Sequence, residues 1–219
     1  MGLSWPEVLA RLSRRESLST AEAEETLKVV LSGEGDQVTI SGQGAAWVNT
    51  NSFYLGAAGG AAQLLITGGG ALKVTQVATI ADGSATVSGA GSVISAGTLE
   101  VGNGLGGALT IENGAQVTDV SGIVADSPSA TVLLTGAGSS WTNSNGLLIG
   151  DQTGQAAVTV TDGAKLGFAG GLSIDGTLVL DGTAKLNGSY ISLEGGTIIA
   201  EPPPGQPTGP DVIIRHSVD

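Results

Sequence analysis

The stretch LLTGAGSSWTNSNGLLIG, Leu133 to Gly150, decides the fold once it is laid beside VTISGQGAAWVNTNSFYLG, Val38 to Gly56. Each begins with an apolar run and turns on Gly-x-Gly. Each then places a Trp, passes through Asn and Ser, and ends on a second apolar run closed by Gly. A third version, VSGAGSVI, lies between them with Ile94 at the Trp position. The glycines that open the three turns, Gly42, Gly89 and Gly136, are 47 residues apart. A second anchor follows in each copy at Gly56, Gly102 and Gly150, and a third at Gly69, Gly114 and Gly163. Three ordered anchors in three copies are the mark of a repeat architecture. The middle copy is one residue shorter before its second anchor.

The first unit contains six short β-rich runs: Val38–Ile40, Ala46–Val48, Phe53–Leu55, Gln63–Ile66, Leu72–Val74 and Ala78–Ile80. Gly, Asn, Asp or Thr follows each run within two residues. Alternation such as Val158-Thr159-Val160 has the period of a strand with one buried face. Propeller blades need four longer strands and their own signatures, which are absent. Two coils of three strands, at about 23 residues per coil, fit a parallel β-solenoid. Glycine supplies the positive φ that tight corners need. The expected fold is therefore all-β: a right-handed parallel β-solenoid of about seven coils over residues 36–200, with three to three and a half 47-residue repeats. At ~4.8 Å per coil the rod would be roughly 33 Å long.

Composition agrees. Gly accounts for 37 of 219 residues, yet 41% are hydrophobic and only 13% charged, which is the opposite of a disordered chain. The net charge of −12 excludes a nucleic-acid backbone or an anionic membrane as the natural partner, since both require a basic patch. There is no Cys, so disulfides and thiol chemistry are excluded. No apolar run approaches the ~18 residues of a membrane span. The N-terminal sequence lacks the apolar stretch of a signal peptide.

Two flanking segments differ from the repeat. In residues 1–35, Ser4-Trp5-Pro6-Glu7 and Ser19-Thr20-Ala21-Glu22 are capping boxes, and Gly33 is a C-cap. Two short helices are expected, with Ala23, Leu27, Val30 and Leu31 on one face. They would form an N-terminal α-helical cap over the first coil or a pairing element. Residues 201–219 open with EPPPGQPTGP, a polyproline-type linker. The apolar run Val212–Ile214 either pairs with an open solenoid edge or leads toward a further domain.

Two resemblances attach to these segments. Gly136, Gly138, Ser139 and Trp141, then Leu147, Ile149 and Gly150, then Val160, Gly163, Ala164 and Leu166 resemble the repeats of autotransporter passenger domains and related surface proteins of Gram-negative bacteria. That resemblance implies a right-handed β-helix displayed at or beyond the cell surface. Residues 4–36 resemble the N-terminal helices of anthranilate phosphoribosyltransferases. That family's glycine-rich phosphate-binding loop and acidic motifs have no counterpart here, so its activity is not carried over.

Chemistry-bearing residues are sparse. The one His, His216, sits in the tail. Asp82, Asp162, Asp175 and Asp181 are each followed by Gly, which is turn chemistry before it is acid catalysis. Lys73, Lys165 and Lys185 are the only basic residues of the repeat region. Calcium and dinucleotide motifs are absent. A Thr ladder through Thr159 and Thr161 is broken by Leu65 and Glu112 in other copies. Trp47, Ile94 and Trp141 share one position, where Ile argues for a core slot over a sugar-stacking stripe. No catalytic, cofactor-binding or metal residue is assigned, and no enzyme activity is expected. The expected function is a structural or adhesive surface rod, with end-to-end self-association and surface glycans or host matrix as partners. A carbohydrate-active or carbohydrate-binding β-helix is the alternative.

Overall fold

The computed structural model describes residues 36–56, 61–103, 106–125, 129–151, 155–202 and the strand at 212–215, and every regular element among them is a β-strand. The six runs expected in the first unit form β1 (Gln37–Ser41), β2 (Ala46–Asn49), β3 (Phe53–Leu55), β4 (Ala62–Thr67) and β5 (Ala71–Ile80). The last two expected runs are one strand, with a register break between Val74 and Val77 where the chain rounds a corner. There follow β6 (Gly83–Ser88), β7 (Val93–Val101), β8 (Gly107–Glu112), β9 (Gln116–Val124) and β10 (Ala130–Thr135). Next come β11 (Ser140–Asn143), β12 (Gly146–Ile149), β13 (Ala157–Thr161), β14 (Lys165–Phe168) and β15 (Gly171–Ile174). The chain ends with β16 (Thr177–Leu180), β17 (Lys185–Gly188), β18 (Ile191–Leu193), β19 (Thr197–Ala200) and β20 (Val212–Arg215).

These strands stack as a parallel β-solenoid of about seven coils. The first sheet runs β1-β4-β6-β8-β10-β13-β16-β19, one strand per coil. The second sheet holds the other side of each coil, as one long strand in β5, β7 and β9 and as two arms elsewhere. Alternation turns every second side chain inward, so identical positions form ladders along the rod. Leu64, Ala85, Leu109, Val132, Val158 and Leu178 make one such ladder, paired residue to residue and all buried. The Trp position belongs to another: Trp47, Leu72, Ile94, Val117, Trp141 and Leu166 in successive coils. The core is thus a packed column of mainly aliphatic layers, each Val, Leu or Ile side chain contributing about 1.5–3 kcal/mol on burial.

The 47-residue period is two coils because two kinds of corner alternate. In coils one, three and five the corner entering the second sheet is Gly-x-Gly: Ala45 N–H donates to Gly42 O, Ser92 to Gly89 O and Ser139 to Gly136 O, each at 3.1 Å. The third turn residues Gly44, Gly91 and Gly138 have φ of 83°, 84° and 89°, the signature of a type II turn. In even coils the turn is Gly68-Gly69, Asn113-Gly114 or Asp162-Gly163, with positive φ at both central residues. That is the type I′ pattern, which selects Gly, Asn and Asp.

The two corners are stitched together. The Oγ of Ser92 accepts from Gly69 N–H at 3.2 Å, that of Ser139 from Gly114 N–H at 3.0 Å, and that of Thr183 from Gly163 N–H at 2.8 Å. The corners of coils three, five and seven thereby each satisfy a backbone donor of the even corner beneath them.

At the C-terminal end β20 pairs antiparallel with β19, Ala200 opposite Val212 and Ile198 opposite Ile214. The tail thus closes an edge, the first of the two roles expected of Val212–Ile214. The helices expected in residues 1–35, and His216, lie outside the described residues.

Candidate functional site

Two places concentrate polar chemistry. The first is internal, where coil four (β8–β9) meets coil five (β10–β12). Asp119 on β9 falls two residues after Val117, so strand alternation aims it inward. It is 5% exposed. Its register partner Asn143 on β11 is fully buried. Trp141, also fully buried, donates its indole Nε1–H to Asp119 Oδ2 at 2.6 Å. Asn143 Nδ2 donates upward to Gly167 O at 3.2 Å. Gly122 makes the room: a Cβ there would collide with Asn143 Oδ1 and lie 2.9 Å from Trp141 Cζ2. Burial pushes the Asp119 carboxyl up from 3.8 to about 7, against the opposing Trp141 hydrogen bond.

A change of corner length produces this cluster. Coil four passes from Asp119 to Gly122 within one strand, whereas coil five spends one more residue between Asn143 and Leu147 and splits into β11 and β12. Ser144 N–H still reaches Asp119 O at 2.9 Å and Asn145 N–H reaches Val120 O at 2.7 Å.

The second place is a surface notch of about 330 Å³ on the second sheet, floored by Gly167, Phe168 and Gly188 and edged by Thr142, Lys165 and Asn187. Gly167 stands between Thr142 and Asn187 on the outward ladder and leaves the gap. Lys165 and Lys185 are register partners and form a short basic step.

The positions singled out in the sequence separate clearly. Trp141 is core, while Trp47, in the terminal coil, is half-buried and meets Phe53 edge-on with centroids 5.4 Å apart. Asp162 and Asp181 come together on one corner, as a turn. Asp181 Oδ2 accepts from Asp162 N–H at 2.8 Å, and Oδ1 accepts from Thr183 and Ala184 N–H at 2.9 and 2.8 Å. Partial burial works to raise its pKa, but these bonds and the Thr183 hydroxyl together hold the carboxyl below its ordinary value. The outward Thr ladder is interrupted in register by Leu65 and Leu133. Lys73 lies on β5, away from the Lys165–Lys185 pair on β14 and β17. Among the described residues no group of three His, Cys, Asp or Glu is placed to hold a metal ion, and no helix is long and apolar enough to cross a membrane.

Sequence reading missed the Asp119–Asn143 pair. The available signal was spacing: Asn143 stands two places beyond Trp141, a slot already read as core, and Asp119 stands two places beyond Val117, which the structure pairs with Trp141. Comparison with known proteins found no matching family model, no matching curated protein and no matching solved structure.

Proposed function

We propose that this chain is a structural module of a surface protein: a stiff rod serving as a spacer, an adhesin or a filament subunit. The observation that supports this reading is the unbroken parallel stack from β1 to β19, filled by side-chain ladders and roughly 34 Å long at ~4.8 Å per coil. Parallel ladders fix each coil to its neighbours and resist bending. Placement at or beyond the cell surface rests on the resemblance of the Gly136–Leu166 motif to passenger-domain repeats. Electron microscopy of the purified protein tests the reading. Short rods correspond to a spacer or adhesive module, filaments to a self-assembling subunit, and globular or collapsed particles would count against both.

The notch beside Lys165 and Lys185 favours a second reading, a carbohydrate-binding β-helix taking an acidic glycan. Incubation with acidic polysaccharides, read by sedimentation for binding and by new reducing ends for cleavage, addresses it. Unchanged binding in Lys165→Ala/Lys185→Ala would remove the notch from consideration.

A further inference from the structure

Among the described residues, two buried side-chain atoms have no hydrogen-bond partner: Asp119 Oδ1 and Asn143 Oδ1. They belong to register partners on adjacent parallel strands, whose spacing is ~4.8 Å. Both are acceptors when Asp119 is ionised, and two unpaired buried acceptors side by side are costly. The Asn143 amide cannot turn over to relieve this. Its Nδ2 faces the Gly167 carbonyl, which only accepts, so Oδ1 must face the other way. It does so toward Gly122, in the coil that carries Asp119.

We propose that Asp119 is a neutral carboxylic acid whose Oδ1–H is donated to Asn143 Oδ1, so that a single proton latches coil five onto coil four. One proton satisfies both orphan oxygens. Oδ2 remains an acceptor for the Trp141 indole, so all three side chains are paired at once.

The surroundings favour the neutral form. Asp119 meets Ala96 of β7 from below and Trp141 and Asn143 of β11 from above. Glu100 of β7 occupies an outward position and accepts from Thr79 and Asn103. Glu112 of β8 is outward too, Lys165 of β14 is exposed, and β10, β11 and β12 carry no ionisable side chain. Among the described residues no cation is therefore placed to stabilise a carboxylate, and burial pushes its titration toward 7.

The linkage has a definite sign. A carboxyl raised in the folded state contributes stability that is fully present below its free value of 3.8 and is gone once the pH has risen through about 7. The latch is closed in acid and strained in base.

The direct test is a pH titration of the unmodified protein, following the ¹³C carboxyl resonance of Asp119 and the infrared stretch of a protonated carboxyl. A midpoint near 7 and a protonated band at pH 5 are expected. Titration in the ordinary carboxylate range overturns the proposal. Asp119→Asn is the companion variant, because its amide donates to Asn143 Oδ1 and accepts from Trp141 as the neutral acid does. Its melting temperature should exceed that of the parent above pH 7, and the gap should close as the pH falls toward 4. A variant destabilised by the same amount at every pH also overturns the latch. If the variant does not fold, the titration of the unmodified protein decides.

Discussion

A tryptophan in a repeat corner is a packing decision before it is a binding decision. Trp141 fills a layer that Val117 and Leu166 occupy in the coils on either side, and the missing side chain of Gly122 lets the larger ring in. Trp141→Ala should therefore cost about 3–5 kcal/mol in chemical denaturation, since it opens a cavity and strips Asp119 of its indole donor. Trp47→Ala should cost clearly less, because the ring is half-buried in the terminal coil. The same contrast should appear in fluorescence, as blue-shifted, quencher-resistant emission from Trp141 and more accessible emission from Trp47. The Asp119 carboxyl sets a second expectation at this scale. Moving from below pH 3.8 to above pH 7 should remove up to about 4 kcal/mol of stability. The equivalence of Trp47, Ile94 and Trp141 was readable because three copies could be laid in register. Asp119 was harder, since an aspartate in a glycine-rich chain reads as a turn residue. Only strict alternation from Val117 places it indoors.

Strands and corners explain why the sequence repeats at twice the coil length. Residue spacing along the first ladder is uneven: Val38 pairs with Leu64, 26 residues on, and Leu64 with Ala85, 21 residues on. Yet the distance from Val38 to Ala85, and from Ala85 to Val132, is 47 in each case. A reading that divides by two predicts the number of coils correctly and averages away their difference. The alternation of type II and type I′ corners was visible as two glycine motifs, but not as two turn geometries, because turn type depends on backbone angles. Ser92 and Ser139 carry the link between corners. Ser92→Ala and Ser139→Ala should each cost about 1–3 kcal/mol, as the Gly69 or Gly114 N–H loses its acceptor. The matching change at Ser140, outward on β11, should be near neutral. Asn113, at φ 56°, should accept Gly with little loss and Ala with a loss of about 1–2 kcal/mol. Urea denaturation of the five variants checks all of these.

At the scale of the whole molecule the C-terminal end of the first sheet is closed. β20 covers the last strand of the first sheet by antiparallel pairing, so this edge offers no parallel template to another chain. Removing residues 201–219 should uncover β19 and promote self-association, seen as a shift to larger species in size-exclusion chromatography; an unchanged elution profile would mean that β20 gives no protection. Deleting residues 1–33 makes the corresponding test of a cap at the other end.

Alternating corners also govern how such a rod can change length over evolutionary time. A coil lost singly sets two corners of the same kind on successive layers, and the serine that should meet a glycine N–H meets the wrong turn. Loss of two coils leaves every junction as it was. Growth and shrinkage are therefore confined to steps of one full unit, about 10 Å of rod. Excising Gly42–Ser88, one 47-residue unit, should leave a cooperative, shorter solenoid, whereas excising Gly68–Ser88, one coil, should leave a markedly weaker one. Thermal melts of the two deletions would show whether the molecule keeps count in ones or in pairs.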